Sequence, residues 1–132
     1  MDGKIGVERR KNTRYKAVNG AHAAVKPSSH EISGQIFDIS MGGLSFKYTD
    51  TGILESEDEQ ESEKTIYLSN IGYHVGDISF KVISDEEIET IPSFLFGELT
   101  VKKKQIQFIG LDFDQMVDLD HYLSNNVSEP VK

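Results

Sequence analysis

The sequence predicts a mainly β fold, an antiparallel barrel or sandwich completed by one C-terminal helix. Three observations carry this. Short runs of alternating apolar and polar residues recur along the chain, turn signals separate them every ten residues or so, and no helical period intervenes until the chain is nearly finished. Strands that follow one another without crossover helices pair antiparallel.

Taken in order, residues 1–14 show no apolar period and are rich in charge and glycine, which predicts a flexible arm. Tyr15 to Val25 reads as a strand interrupted at Asn19-Gly20, a bulge or a tight turn. Pro27-Ser28-Ser29 marks the next turn. Glu31 to Ile39 is a strand whose apolar phase slips between Ile36 and Phe37, so a bulge or burial on both faces is expected there. Leu44 to Tyr48 alternates cleanly.

Residues 49–64 hold Glu55, Glu57, Asp58, Glu59, Glu61 and Glu63, an acidic run that repels itself and reads as a solvated loop insertion. It lacks the spacing of a calcium loop. Thr65 to Leu68 and Ile71 to Ile83 continue the β pattern. Asp85-Glu86-Glu87 reads as a polar turn, and Pro92 argues against a central strand at that point. Phe94 to Val101 alternates again, Lys102-Lys103-Lys104 reads as a basic turn, and Gln105 to Phe113 is the last strand, with a slip at Phe108-Ile109. Met116, Leu119 and Leu123 then fit helical spacing, with Asp114 as the expected N-cap. The division predicted is an arm over 1–14, a barrel with its helix over 15–125, and a polar tail over 126–132.

The 132 residues fit one domain. Without cysteine there are no disulfides and no thiolate metal sites, and no run is long enough to span a bilayer. The start carries no apolar leader, so a cytoplasmic protein is expected. Charge is unevenly spread. Residues 1–17 carry a net +4, and the remainder carries −12 of the formal −8 total. That balance repels long polyanions yet leaves a basic head for a compact phosphate-bearing ligand.

The informative stretch is Asp38-Ile39-Ser40-Met41-Gly42-Gly43. It joins two strand-like runs, and its glycines permit positive φ and close backbone approach. On an extended chain Asp38 and Ser40 point to one side. A carboxylate that only accepts, beside a hydroxyl that both donates and accepts, suits a ligand edge rich in N–H donors. The same residues also suit a capped β-turn. Upstream, Arg10 and Arg14 form R-x-x-x-R. Their guanidinium forks pair with phosphate or with the O6/N7 edge of guanine, and they stack on bases.

R-x-x-x-R followed at this distance by D-x-S-x-x-G (Asp38, Ser40, Gly43) resembles the signature of the PilZ domain, a family of bacterial cyclic di-GMP receptors. A Gly-Leu-x-Phe stretch over 110–113 leading into the helix extends the resemblance, which covers residues 9 to about 124. It implies a six-stranded antiparallel β-barrel with a helix over one opening. It also implies a non-catalytic receptor whose ligand is cyclic di-GMP, with no cofactor or metal. By the same resemblance Arg10 and Arg14 would bind phosphate and guanine, and Asp38 would accept from guanine N1–H and N2–H₂. Ser40 would add a hydrogen bond, and Gly43 would admit the backbone. Arg9 would sandwich the second base of a self-stacked ligand pair, with Asn12 within reach.

The mechanism expected is an arm that moves freely until ligand clamps Arg10 and Arg14 onto the barrel. No output domain is visible, so the signal would pass to a partner protein, with motility or exopolysaccharide machinery as the family's usual clients. Two alternatives remain: a PilZ-like protein interaction module that does not bind the nucleotide, and a small nucleic-acid-binding barrel, which the acidic balance disfavours.

No enzyme is legible. His22, His30, His74 and His121 are scattered without ligand spacing. The acids around His121 read as a solvated helix face, and Ser40 lies in no Gly-x-Ser-x-Gly elbow.

Overall fold

The computed structural model describes residues 13–26, 32–50 and 64–131. The elements are β1 (Tyr15–Ala17), β2 (His22–Lys26), β3 (Ile32–Ile39), β4 (Gly43–Asp50), β5 (Thr65–Asn70), β6 (Tyr73–Ser93), β7 (Gly97–Ile109), α1 (Phe113–Asn126) and β8 (Val127–Pro130). All pairings are antiparallel. The sheet runs β2-β5-β6-β7-β4-β3, and β2 also pairs with β3, so six strands close on themselves. The expected six-stranded barrel is therefore present. β1 and β8 extend the sheet beyond β3.

The barrel closes because β3 serves two partners in succession. Ile32 to Gln35 pair with β2, and Asp38 and Ile39 pair with β1. β1 and β2 thus form one bent ribbon, and the Asn19-Gly20 interruption is its corner, with Gly20 at φ +92°. The Gln35 side chain fastens that corner. It accepts from Gly20 N–H at 3.2 Å and donates to the Val18 carbonyl at 3.1 Å.

The core is filled by Ile36, Ile39, Leu44, Phe46, Ile66, Leu68, Ile78, Ile106, Leu119 and Tyr122, all essentially without solvent contact. In a strand of period two, Ile36 and Ile39 cannot both point inward unless an extra residue lies between them. A bulge between Ile36 and Asp38 supplies it. The phase slip read from the sequence is that bulge.

Two sequence expectations are corrected by β6 and β7. Neither Asp85-Glu86-Glu87 nor Lys102-Lys103-Lys104 is a turn. The strands run through both, and the trios face each other as Asp85↔Lys104, Glu86↔Lys103 and Glu87↔Lys102. Each trio looks turn-like when read alone, but opposite charges on adjacent strands stabilise a ladder. Asp85 anchors the inner row. It accepts from the Tyr48 hydroxyl at 2.9 Å and lies 3.7 Å from Lys102 Nζ and 3.9 Å from Lys104 Nζ. Pro92 is also tolerated. It lies in β6 opposite Glu98, on a hairpin that continues past the last β4–β7 pair, Asp50↔Thr100. The hairpin turns at residues 94–96, where Phe94 and Leu95 are exposed.

α1 covers one barrel opening. Its N-cap is Asp112, two residues earlier than expected, in a reciprocal capping box with Gln115 (2.7 Å and 3.1 Å). Asp114 instead sits in the first turn, where its charge suits the helix dipole. Leu119 and Tyr122 plug the opening, and the Tyr122 hydroxyl donates to the Ser69 carbonyl at 2.8 Å. The polar tail expected after residue 125 contains β8, which pairs with β1. Its polar side chains hid a strand held by backbone bonds. Asn126 is buried at the junction, receiving Val18 N–H on its carbonyl at 2.9 Å and Asn70 Nδ2 on its side chain at 2.8 Å.

Candidate functional site

The site is built at the junction of β1, β3, β4 and β7. Arg14 enters β1 with its carbonyl bonded to Val131 N–H at 2.8 Å. Lys16 pairs with Asp38 in register. This brings Arg14 Nη1 to 2.8 Å from Asp38 Oδ1, with side chains 15% and 17% exposed. One arginine of R-x-x-x-R and the acid of D-x-S-x-x-G, 24 residues apart, are thus in contact. Arg14, placed in the expected arm over 1–14, is the residue of that arm that meets the sheet through Asp38. Its half-buried charge holds it to the sheet. Arg9, Arg10 and Asn12 lie outside the described residues, as do the Pro27-Ser28-Ser29 turn and the acidic run over 55–63.

Ser40 and Gly43 take up positions that make the turn itself. Ser40 is buried. Its hydroxyl accepts from Gly42 N–H at 3.0 Å and contacts the Gly43 carbonyl at 3.4 Å, while its own N–H donates to that carbonyl at 2.8 Å. Gly43 is required by a close approach. A Cβ there would lie 2.3 Å from the Ile106 carbonyl oxygen of β7. The turn fixes the β3–β4 connection and so the aim of Asp38.

Beside Asp38 lies a cleft of about 430 Å³ lined by Lys16, Asn19, Gln35, Phe37, Asp38 and Lys103, among others. Sequence reasoning missed Phe37, Lys103 and Ser45. The bulge puts Phe37 outward beside Asp38, half-exposed, with Lys103 Nζ 5.3 Å from its ring centroid. The phase slip signalled the bulge, but nothing in the sequence linked residue 37 to residue 103. Ser45 pairs with Asp38 across β3–β4 and is 1% exposed, and its hydroxyl has no hydrogen-bond partner among the described residues.

The cleft brings ammonium-bearing side chains, an aromatic ring and a carboxylate into one place. Arg14 and Lys16 from the β1 segment and Lys103 from β7 share this region with the Asp38 carboxylate. That carboxylate gives Arg14 one oxygen and retains acceptor capacity on the other. Among the described residues no group of three or more His, Asp or Glu side chains is placed to hold a metal ion, and no helix is long and apolar enough to cross a membrane.

Comparison with solved structures places this architecture. The PilZ domain of YcgR from Escherichia coli, solved with c-di-GMP, superimposes with a TM-score of 0.62 over 89% of this chain and 90% of that one, at 16% identity. The fold is that of a PilZ domain. MrkH, a c-di-GMP-dependent transcription regulatory factor, gives a TM-score of 0.56 at 15% identity over 89% of this chain, which spans half of MrkH. No protein-family model and no curated protein sequence matches the chain. In this PilZ-like domain the barrel and the helix at its opening are those the sequence resemblance implied.

Proposed function

We propose that this chain is a non-catalytic receptor domain for cyclic di-GMP that passes the signal to a partner protein. The observation that carries the reading is the Arg14–Asp38 contact at the edge of the cleft, on a fold shared with a domain solved with that ligand. It joins the two motif halves in one place, where a cation and a carboxylate together suit guanine. Guanine presents acceptors at O6 and N7 and donors at N1 and N2, so the pair selects it over adenine, by about 1–3 kcal/mol for each good bidentate contact.

In this reading Arg10 and Arg14 grip phosphate and base, Asp38 accepts from the guanine Watson–Crick edge, and Arg9 packs on a second base. Ser40 and Gly43 hold the turn that aims Asp38. Ligand capture of Arg9 and Arg10 at the Arg14–Asp38 edge creates a composite surface for the partner in the cytoplasm. The test is equilibrium dialysis of labelled cyclic di-GMP against excess GTP or cyclic di-AMP. Retention that neither competitor displaces supports the reading. Free passage, or displacement by cyclic di-AMP, contradicts it.

A further inference from the structure

The bulge between Ile36 and Asp38 has a second effect. It turns Phe37 out of the core and sets its ring in the cleft wall next to the acid of the motif. On β3, Ile36 and Ile39 are fully buried and Ile32 is partly buried, whereas the Phe37 ring is 37% exposed and lies beside a carboxylate and ammonium-bearing side chains in the cleft wall. Its present neighbour is the Lys103 ammonium, 5.3 Å from the ring centroid. Lys103 lies opposite Lys47 on β4 and Glu86 on β6, so β7 brings it to the cleft from across the sheet. Lys16 also lines the cleft on the β1 side, with its ammonium 3.1 Å from Glu129 Oε2.

Resting on the cyclic di-GMP reading above, we propose that Phe37 is the stacking shelf for a purine base and that Lys103 is a phosphate contact of the same ligand. The two roles are exchanged for the present contact. An ammonium over a partly solvated phenyl ring is held weakly, whereas a base stacked on that ring and an ammonium on a phosphate are each stronger interactions. When the base takes the ring face, the ammonium swings from ring to phosphate. Neither residue belongs to R-x-x-x-R or to D-x-S-x-x-G. Both set how tightly a purine-bearing phosphate is held rather than how the turn folds.

The absence of tryptophan from the chain makes the test direct. Cyclic di-GMP is titrated calorimetrically into the wild-type protein and into Phe37→Ala, Phe37→Tyr and Lys103→Gln. Phe37→Trp is followed by the fluorescence of its single indole. The expected results are about tenfold weaker binding for Phe37→Ala and wild-type affinity for Phe37→Tyr. Lys103→Gln should bind several-fold more weakly with a shallower salt dependence, and the Phe37→Trp emission should quench saturably. Wild-type affinity in both Phe37→Ala and Lys103→Gln overturns the inference and leaves the receptor reading standing. An unquenched indole in a Phe37→Trp protein that still binds does the same. No heat from the wild-type protein removes the receptor reading itself, and the inference with it.

Discussion

Arg14 Nη1 lies 2.8 Å from Asp38 Oδ1, and this ion pair ties the segment entering β1 to the end of β3. It is neither a solvated surface pair nor a fully buried one. Surface pairs contribute ~0–1 kcal/mol, and breaking buried ones costs ~3–5 kcal/mol by leaving a charge unpaired. The exposures of 15% and 17% place it between. Arg14→Ala or Asp38→Ala should therefore lower stability by about 1–2 kcal/mol, and the double variant by less than the sum. Chemical denaturation of all four proteins measures the coupling. Strict additivity would show that the contact has no energetic role.

Gly43→Ala should be far more damaging than its size suggests. The added methyl would meet the Ile106 backbone carbonyl oxygen at 2.3 Å, and β4 and β7 would have to separate. A loss of about 3 kcal/mol is expected, at the upper end of ordinary overpacking, read as a lower denaturation midpoint. Near-wild-type stability would mean that the β4–β7 ladder yields easily.

Tyr122 gives the fold an alkaline limit. Burial pushes its pKa up to about 12 from an ordinary 10, opposed in part by a backbone hydrogen bond from His22. The unfolded chain releases the proton near pH 10, while the folded one keeps it to about 12. The stabilisation is thus complete below pH 10 and is lost as pH rises toward 12, a change of about 2–3 kcal/mol. Tyr122→Phe should flatten that part of the stability-against-pH curve. It should also lose about 1 kcal/mol at neutral pH from the missing bond to the Ser69 carbonyl. An unchanged alkaline slope in the variant would exclude Tyr122 as its origin.

Asp85 should govern the projecting hairpin rather than the barrel. Asp85→Ala removes an acceptor of the Tyr48 hydroxyl and a partner of Lys102 and Lys104. Amide exchange should quicken across residues 84–93 and 97–105 while β2, β3 and β5 keep their protection. Uniform loss of protection would show that the hairpin and barrel open as one unit.

The sequence carried the barrel because its signals are local. The alternation of Leu44 to Tyr48, the slip at Ile36-Phe37 and the corner at Asn19-Gly20 each reappear as a strand, a bulge and a bend. The losses share another cause, which is pairing between distant segments. Asp85-Glu86-Glu87 and Lys102-Lys103-Lys104 become strand only because each neutralises the other. β8 exists only because β1 offers it an edge. In the site, Asp38 was legible from its motif. The assignment of Ser40 and Gly43 to the turn needed Gly42 and Ile106 beside them, and Phe37 with Lys103 needed three strands to meet.

The most direct test of the account is an isothermal titration of cyclic di-GMP into the purified protein, with GTP and cyclic di-AMP as controls. Saturable, guanine-selective heat is expected, with a ratio of two ligands per chain if Arg9 sandwiches a second base. Absence of heat at micromolar protein, or equal heat with cyclic di-AMP, would contradict it.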